Sequence, residues 1–332
     1  GDLLEDAGET LLVVPEAADP DGEVCLEDAR ELYPALGPGV TIHLTFLQRP
    51  LVGLSAAWNS VSKAYAALFE GALGNPVKMV AAIRRAFGGD ASGLGRAFYP
   101  LTESLVIATP YILAGLAVAL GFRAGLFNIG AEGQYFVGGL VGVWVGYSIR
   151  GLPIYIHLPM TLIAGFIGGA LWGARPGLLK AVTGGHEVIN TIMMNYVAFA
   201  LADWLLNGPM QRPDDYRPIS PEIQSSAMLP QFFASPIRFH LGFFLALAMA
   251  ALVYWLLFKT TIGFELRTVG INPRAARYAG MNLTKNYVLA MVLSGGLAGL
   301  AAINDISGVI HYMPNAFSAG YGFDSIALAL LG

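Results

Sequence analysis

Long apolar runs separated by short polar stretches dominate the chain from Ser104 onward. They predict six full spans at about 104–122, 127–147, 154–174, 188–207, 239–258 and 286–304, each close to the ~20 residues that carry a helix across a bilayer. Residues 104–207 contain seven charged side chains, and the last two runs contain none. A seventh apolar run opens near Tyr321 and is cut at Gly332, well short of a crossing. Helices are therefore expected beyond both termini, eight to ten spans in all. The fold class predicted is all-α, a polytopic transmembrane helical bundle.

Upstream the pattern differs. From Pro50 to Gly74 the apolar positions Leu51, Leu54, Trp58, Val61, Tyr65, Leu68 and Phe69 recur every three or four residues among polar ones. That periodicity describes an amphipathic helix lying on a surface rather than crossing a membrane. Residues 76–88 form a second such segment, with Lys78, Arg84 and Arg85. Residues 1–47 show little periodicity. Three regions follow: an acidic extramembrane segment (1–47), amphipathic helices with a connector (48–103), and a membrane domain (104–332).

Composition sharpens this reading. Charged residues make up 13% of the chain and hydrophobic ones 55%, with 41 glycines. A soluble domain needs about a quarter of its residues charged, so much of this surface never meets water. The charge is also segregated. Residues 1–31 hold eleven acids against Arg30 alone, leaving twelve acids against eighteen bases in the rest. Loop 259–285 carries Lys259, Arg267, Arg274, Arg277 and Lys285 against Glu265, whereas 208–238 is balanced. The positive-inside rule puts 259–285, and with it 175–187, in the cytoplasm. The basic stretch 76–103 then falls outside, against the rule. A single cysteine, Cys25, excludes a disulfide framework or a cysteine-rich metal site.

Glycines four apart (Gly138/Gly142/Gly146, Gly165/Gly169/Gly173, Gly295/Gly299) mark close helix contacts in lipid. Between the first two runs, residues 122–135 read FRAGLFNIGAEGQY. Polar groups at membrane depth are costly and by default face an interior pathway. Asn128, Glu132 and Gln134 are candidates for that role. The other reading is that they satisfy backbone at a helix break, with Arg123 as a partner. Asn190 and Asn195 either line the cavity or bond neighbouring helices.

The loop segment 260–282 carries its own punctuation. Asn272-Pro273 is a helix start, Gly280 a helix stop, and Gly263 to Val269 predicts another short helix, broken at Gly270. The small-residue face of Ala275, Ala276 and Ala279, flanked by Arg274 and Arg277, suits docking into a groove on a partner. A connector resting on lipid headgroups is the alternative. His186-Glu187 fails the zinc-protease spacing, because position 190 is Asn, and is read as a helix cap. Asp203 and Asp305 lie near span ends and are read as solvated. No phosphate-binding GxxxxGK[ST] loop occurs, so any ATPase must be another chain.

The strings GLFNIGAEGQ (125–134), GGHEVINTIMMNY (184–196), LRTVGINPRAARYAG (266–280) and GYGFDSIALALLG (320–332) resemble the ABC-importer permeases for simple sugars, branched-chain amino acids and nucleosides. The nucleoside branch, which works with lipoprotein receptors, is the most similar. The resemblance runs from about Ala64 to Gly332; residues 1–47 have no counterpart in it. It implies a permease subunit in a bacterial inner membrane, not itself an enzyme and with no cofactor of its own. The implied partners are an ATP-binding-cassette ATPase that uses the ATP, a second permease subunit (the same or a related chain), a substrate-binding lipoprotein and membrane lipid, with no nucleic acid. The implied cargo is a small neutral solute, a nucleoside first and a pentose or other simple sugar second. Carried over, Asn128, Glu132 and Gln134 become pathway residues, and Gly263, Arg267, Gly270, Asn272, Pro273 and Ala276 become the contacts coupling to the ATPase. An ion-coupled transporter would show inverted repeats and several mid-span carboxylates. An intramembrane enzyme would need a catalytic pair at one depth. The chain displays one such carboxylate, Glu132, no internal repeat, and five histidines confined to span ends and loops.

Overall fold

A computed structural model describes residues 11–12, 43–44, 50–88, 93–213, 215–233, 237–315 and 317–331. The chain divides into two compact units, Gly1–Pro100 and Leu101–Gly332.

In the first unit, a minimal antiparallel pair joins β1 (Leu11–Leu12) to β2 (His43–Leu44). The rest of the acidic segment 1–47 lies outside the described residues. Helix α1 (Pro50–Leu73) exposes Trp58, Tyr65, Leu68 and Phe69, as an amphipathic surface helix would. Helix α2 (Pro76–Phe87) starts where the sequence predicts: the Asn75 side chain accepts hydrogen bonds from the N–H groups of Val77 and Lys78 at 3.0 and 3.2 Å, and Pro76 takes the first helical position.

Ten of the twelve expected span ends recur within four residues, whereas the first span opens at Leu94 rather than 104 and the third closes at Thr183 rather than 174. The elements are α3 (Leu94–Arg123), α4 (Ala131–Ser148), α5 (Ile154–Thr183), α6 (Glu187–Leu206), α7 (Gly242–Lys259), α8 (Thr261–Ile271), α9 (Pro273–Tyr278), α10 (Leu283–Asp305) and α11 (Tyr321–Leu331). Five of these, α3, α5, α6, α7 and α10 with its following turn, are long and apolar enough to cross a membrane. The sixth expected span, α4, is as long as α7 but less apolar and richer in glycine. It forms the centre of the bundle, with fourteen of its residues buried.

Glycine contacts hold this centre together. A methyl group at Gly138 would lie 2.2 Å from Gly299 Cα, and one at Gly169 would lie 2.1 Å from the Gly295 carbonyl oxygen. The four-residue repeats thus bring α4, α5 and α10 into backbone contact. Lipid offers no hydrophobic drive for association, so this packing is what holds the helices.

Two expected boundaries shift. Residues 175–183 were expected in a cytoplasmic loop but continue α5, although Pro176 lies within it. The helix carries this proline because α10 packs along its last turns: a side chain at Gly173 or Gly177 would meet Met291. In α8 there is no break at Gly270. The helix runs to Ile271, and Asn272 both ends it and caps α9, accepting from the N–H groups of Arg274 and Ala275 at 3.1 Å. Gly280, at φ +81°, stops α9 as expected.

Candidate functional site

The break between α3 and α4 is built from the residues that the sequence singles out. Gly125 turns the chain at φ +72° against Gly270, where a methyl group on either glycine would strike the other's backbone. That contact, rather than a helix break, explains Gly270. Asn128 is fully buried. Its amide donates to Gln134 Oε1 and to Ser294 Oγ, each at 2.8 Å, and its oxygen accepts from Gly130 N–H and Gln134 Nε2. Ser294 in turn donates to the Ala117 carbonyl at 2.6 Å. Asn195 reaches over from α6, accepting from Gly133 N–H at 2.8 Å and donating to the Ile129 carbonyl at 3.0 Å. Asn128, Gln134 and Asn195 thus form a saturated polar knot that satisfies the broken backbone. Asn190 is half-buried and stands apart from it.

Glu132 does something the sequence does not reveal. Its carboxylate accepts the Gly322 N–H at 2.6 Å, and the Ser318 hydroxyl and Phe323 N–H also serve it. It therefore caps the N-terminus of α11, a helix far along the chain, where exposed N–H groups and the helix dipole favour negative charge. Gly322 is required there, since a methyl group on it would lie 2.3 Å from Glu132 N.

This contact fixes the path of residues 311–320. At one end of the bundle, Ser220 N–H donates to the Met313 carbonyl and Ile223 N–H to that of His311, both at 2.9 Å, while Ile223 packs on Gly146. Glu132 and Gly146 are fourteen residues apart on α4, about 21 Å of helix. The described residues 312–315 and 317–320 cover that depth without forming a helix. Non-helical backbone at membrane depth is tolerated where it is buried in protein or lines a cavity.

A cavity of ≈ 180 Å³ lies against this segment, lined in part by Glu103, Arg238, Asp305, Phe317 and Tyr321. Phe317 stacks on Tyr135 at 5.0 Å between ring centroids, and Tyr321 meets Tyr111 edge-on at 4.9 Å. The Tyr135 hydroxyl donates to Asp305 Oδ2 at 3.3 Å. Arg238 pairs with one Glu103 oxygen, and the other oxygen is buried without a partner among the described residues. Asp305, read from sequence as a solvated span end, is therefore part of an aromatic chamber. The α10 helix widens there into a π-helical turn, Ile306–Ile310, ended by His311 at φ +65°. Asn304, Ser307 and His311 each bury a polar atom with no partner among the described residues. Strained backbone, a π turn and unsatisfied polar groups concentrate at functional positions. The sequence carried one usable signal, the phrase YMPNAFSAGYGF, whose proline, glycines and aromatics interrupt an apolar run.

Loop 259–285 sorts its candidates by exposure. Gly263 packs on the carbonyls of Leu256 and Leu257, Gly270 on Arg123, and Ala276 is wholly buried in the chain itself. Gly263 and Ala276 are buried within the chain, and Gly270 is half-buried. Arg267 is half-buried, over the Phe258 ring at 5.0 Å from its centroid. What the loop presents outward is Asn272, Pro273, Arg274, Ala275 and Arg277, with Ile271 and Tyr278 at 86% and 94% exposure. The last two were not singled out from sequence. Nor does His186 cap α6: it occupies the cap position without a side-chain bond, while Glu187 pairs with Lys180 at 2.8 Å.

Residues 101–332 match the family described as branched-chain amino acid transport system, permease component. The chain is similar to a guanosine ABC transporter permease protein of Bacillus subtilis, 45% identical over 73% of this chain and 70% of that protein. It is also similar to a glucose ABC transporter permease protein of Haloferax volcanii, 40% identical over 70% of this chain and 64% of that protein. A nucleoside ABC transporter permease protein of Lactococcus lactis is 32% identical over 73% and 68% respectively. No solved structure matches the chain.

Proposed function

The chain belongs to the family of permease components of branched-chain amino acid transport systems, and on that premise we propose that it carries nucleosides inward as the membrane subunit of an ATP-driven importer. It is a multi-pass plasma-membrane protein and a transport component rather than an enzyme. Permeases of this kind work with an ATPase and a substrate-binding partner. In our reading a lipoprotein receptor delivers the nucleoside, a second permease copy or relative completes the channel, and ATP is consumed only by the partner ATPase. The exposed face of α8 and α9 receives that ATPase.

The observation that carries the substrate class is the aromatic wall of the chamber, Phe317 and Tyr321 backed by Tyr135, beside a small number of hydrogen-bonding groups. Flat bases with polar edges suit such a site. A simple sugar is the second reading, favoured by the similarity to the glucose permease. Uptake by cells carrying the complete transporter tests both: labelled guanosine accumulates and an excess of glucose leaves it unchanged. Accumulation of glucose without any nucleoside would overturn the first reading in favour of the second.

A further inference from the structure

The chamber is asymmetric, and the asymmetry carries a specificity. One wall is aromatic, with Phe317 and Tyr321 bordering the space and Tyr135 stacked behind Phe317. The other wall is ionic, with Asp305, Glu103 and Arg238. The two carboxylates are not equivalent. Glu103 is engaged by Arg238, whereas Asp305 forms no ion pair among the described residues and receives the Tyr135 hydroxyl on one oxygen. A volume of ≈ 180 Å³ accommodates a bicyclic base and part of a sugar.

We propose that this chamber is a nucleobase subsite that favours 6-oxopurines, with Phe317 and Tyr321 stacking the base and Asp305 reading its edge. The inference rests on the nucleoside reading above and goes one step further, from substrate class to the choice among bases. A carboxylate only accepts hydrogen bonds. Guanine presents two adjacent donors, N1–H and the N2 amino group, which match the two oxygens of one carboxylate, with O6 beside them as an acceptor for a cation such as Arg238. Adenine presents a bare N1 lone pair at the same place, which a carboxylate repels. Hypoxanthine keeps N1–H and loses the amino group, so inosine should fall between the two. A good bidentate base contact discriminates by about 1–3 kcal/mol, roughly ten- to a hundredfold.

Two features fit Asp305 to this task. Tyr135, itself fully buried, anchors the carboxylate, so its direction is fixed before any base arrives. The carboxylate also sits where α10 passes into its π turn, the one place where that helix's backbone register changes. A bound base would thus be felt by the segment 311–320, which leads directly to the N-terminus of α11.

The test is competition for uptake by cells carrying the complete transporter, with the same receptor throughout, so that any change in selectivity belongs to the permease. With labelled guanosine, unlabelled inosine should compete at least about tenfold better than adenosine. Asp305→Asn offers adenine N1 a donor and removes the repulsion. It should bring the two competitors within about threefold of each other while assembly with the ATPase, read by co-purification, persists. Phe317→Leu removes a stacking face and no polar group. It should raise the half-saturating concentration of guanosine and adenosine alike, by about tenfold, since stacking contributes about 1–3 kcal/mol per base. Should Asp305→Asn fail to assemble, the Phe317→Leu result still decides whether a base stacks here. Nucleoside uptake with an unmoved inosine-to-adenosine ratio in Asp305→Asn, or an unmoved half-saturation in Phe317→Leu, overturns the subsite and leaves the nucleoside reading standing. Absence of all nucleoside uptake in the wild type overturns that reading, and the subsite with it.

Discussion

Replacing Gly169 by alanine puts a methyl carbon 2.1 Å from the Gly295 carbonyl oxygen and 2.9 Å from Gly299 Cα. Carbon and oxygen ordinarily approach no closer than ~3.3 Å, and neither obstacle is a side chain that can swing away. Helices α5 and α10 must therefore part locally by about 1 Å. A gap of that size forfeits a quarter to a half of the ~0.1–0.2 kcal/mol held by each apposed atom pair. Over roughly thirty pairs along the seam the loss is about 1–3 kcal/mol, the range found for overpacked cores. A unit of this size shifts by roughly 2–4 °C per kcal/mol, so the detergent-solubilised variant should melt about 2–12 °C below the wild type by tryptophan fluorescence. Gly115→Ala supplies the control. It also lies inside a long helix, α3, but nothing stands within 4 Å of the added carbon. It should melt at or above the wild type, because alanine is the better helix former by about 1 kcal/mol. If the two variants melt within about 1 °C of each other, backbone contact is not what holds α5 to α10.

Four further outcomes follow from the same structure. Gln134→Leu withdraws two hydrogen bonds from buried Asn128 and should cost about 2–3 kcal/mol; a melting temperature equal to that of the wild type would show that the knot is dispensable. Asn272→Ala removes the cap of α9 and should cost about 1 kcal/mol locally; hydrogen exchange over residues 273–279 should quicken while the bundle's exchange stays unchanged, and a uniform change would count against a local role. Tyr278→Glu and Ile271→Asp should release the ATPase on co-purification without lowering the melting temperature, whereas Ala276→Asp should lower it, because that side chain is buried in the chain; retention of the ATPase by both surface variants would exclude this face. The Asp215 carboxyl is held down to about 2, first by its hydrogen bonds from Arg217. Its stabilising share is complete above its unfolded value of about 3.9 and is lost only as pH falls toward the folded value. Asp215→Asn should therefore leave the slope of melting temperature between about pH 5 and pH 8 unaltered.

The helices and most of their ends were legible in the sequence because each has a local cause. Hydropathy runs set the spans, Asn272-Pro273 sets a helix start, and the glycine repeats announced contacts that the packing realises. What was not legible depends on residues distant along the chain. Nothing near Glu132 indicates that its partner is the N-terminus of a helix 190 positions away. Nothing near Asp305 indicates Tyr135, and a carboxylate at the end of an apolar run looks the same whether it faces water or an aromatic chamber. Position within the loop 260–282 was readable, but exposure was not. A six-residue helix shows its small residues plainly, and only the fold decides that Ala276 turns inward while Ala275 and Tyr278 turn out.

The long-range cap on α11 bears on how the protein is made. Residues 312–320 carry peptide groups that lipid cannot satisfy, and α11 begins inside the bundle with its first amides bound by Glu132. Neither can settle as an independent insertion event leaving the translocon. The segment needs α4 already in place to receive α11, and the outer stretch 219–229 already folded back to pair with residues 307–314. Biogenesis must therefore hold the nascent chain after α10 in a sheltered or aqueous setting until the earlier helices have closed around it. A substitution at Glu132 would then act first during synthesis, as a kinetic defect in membrane integration.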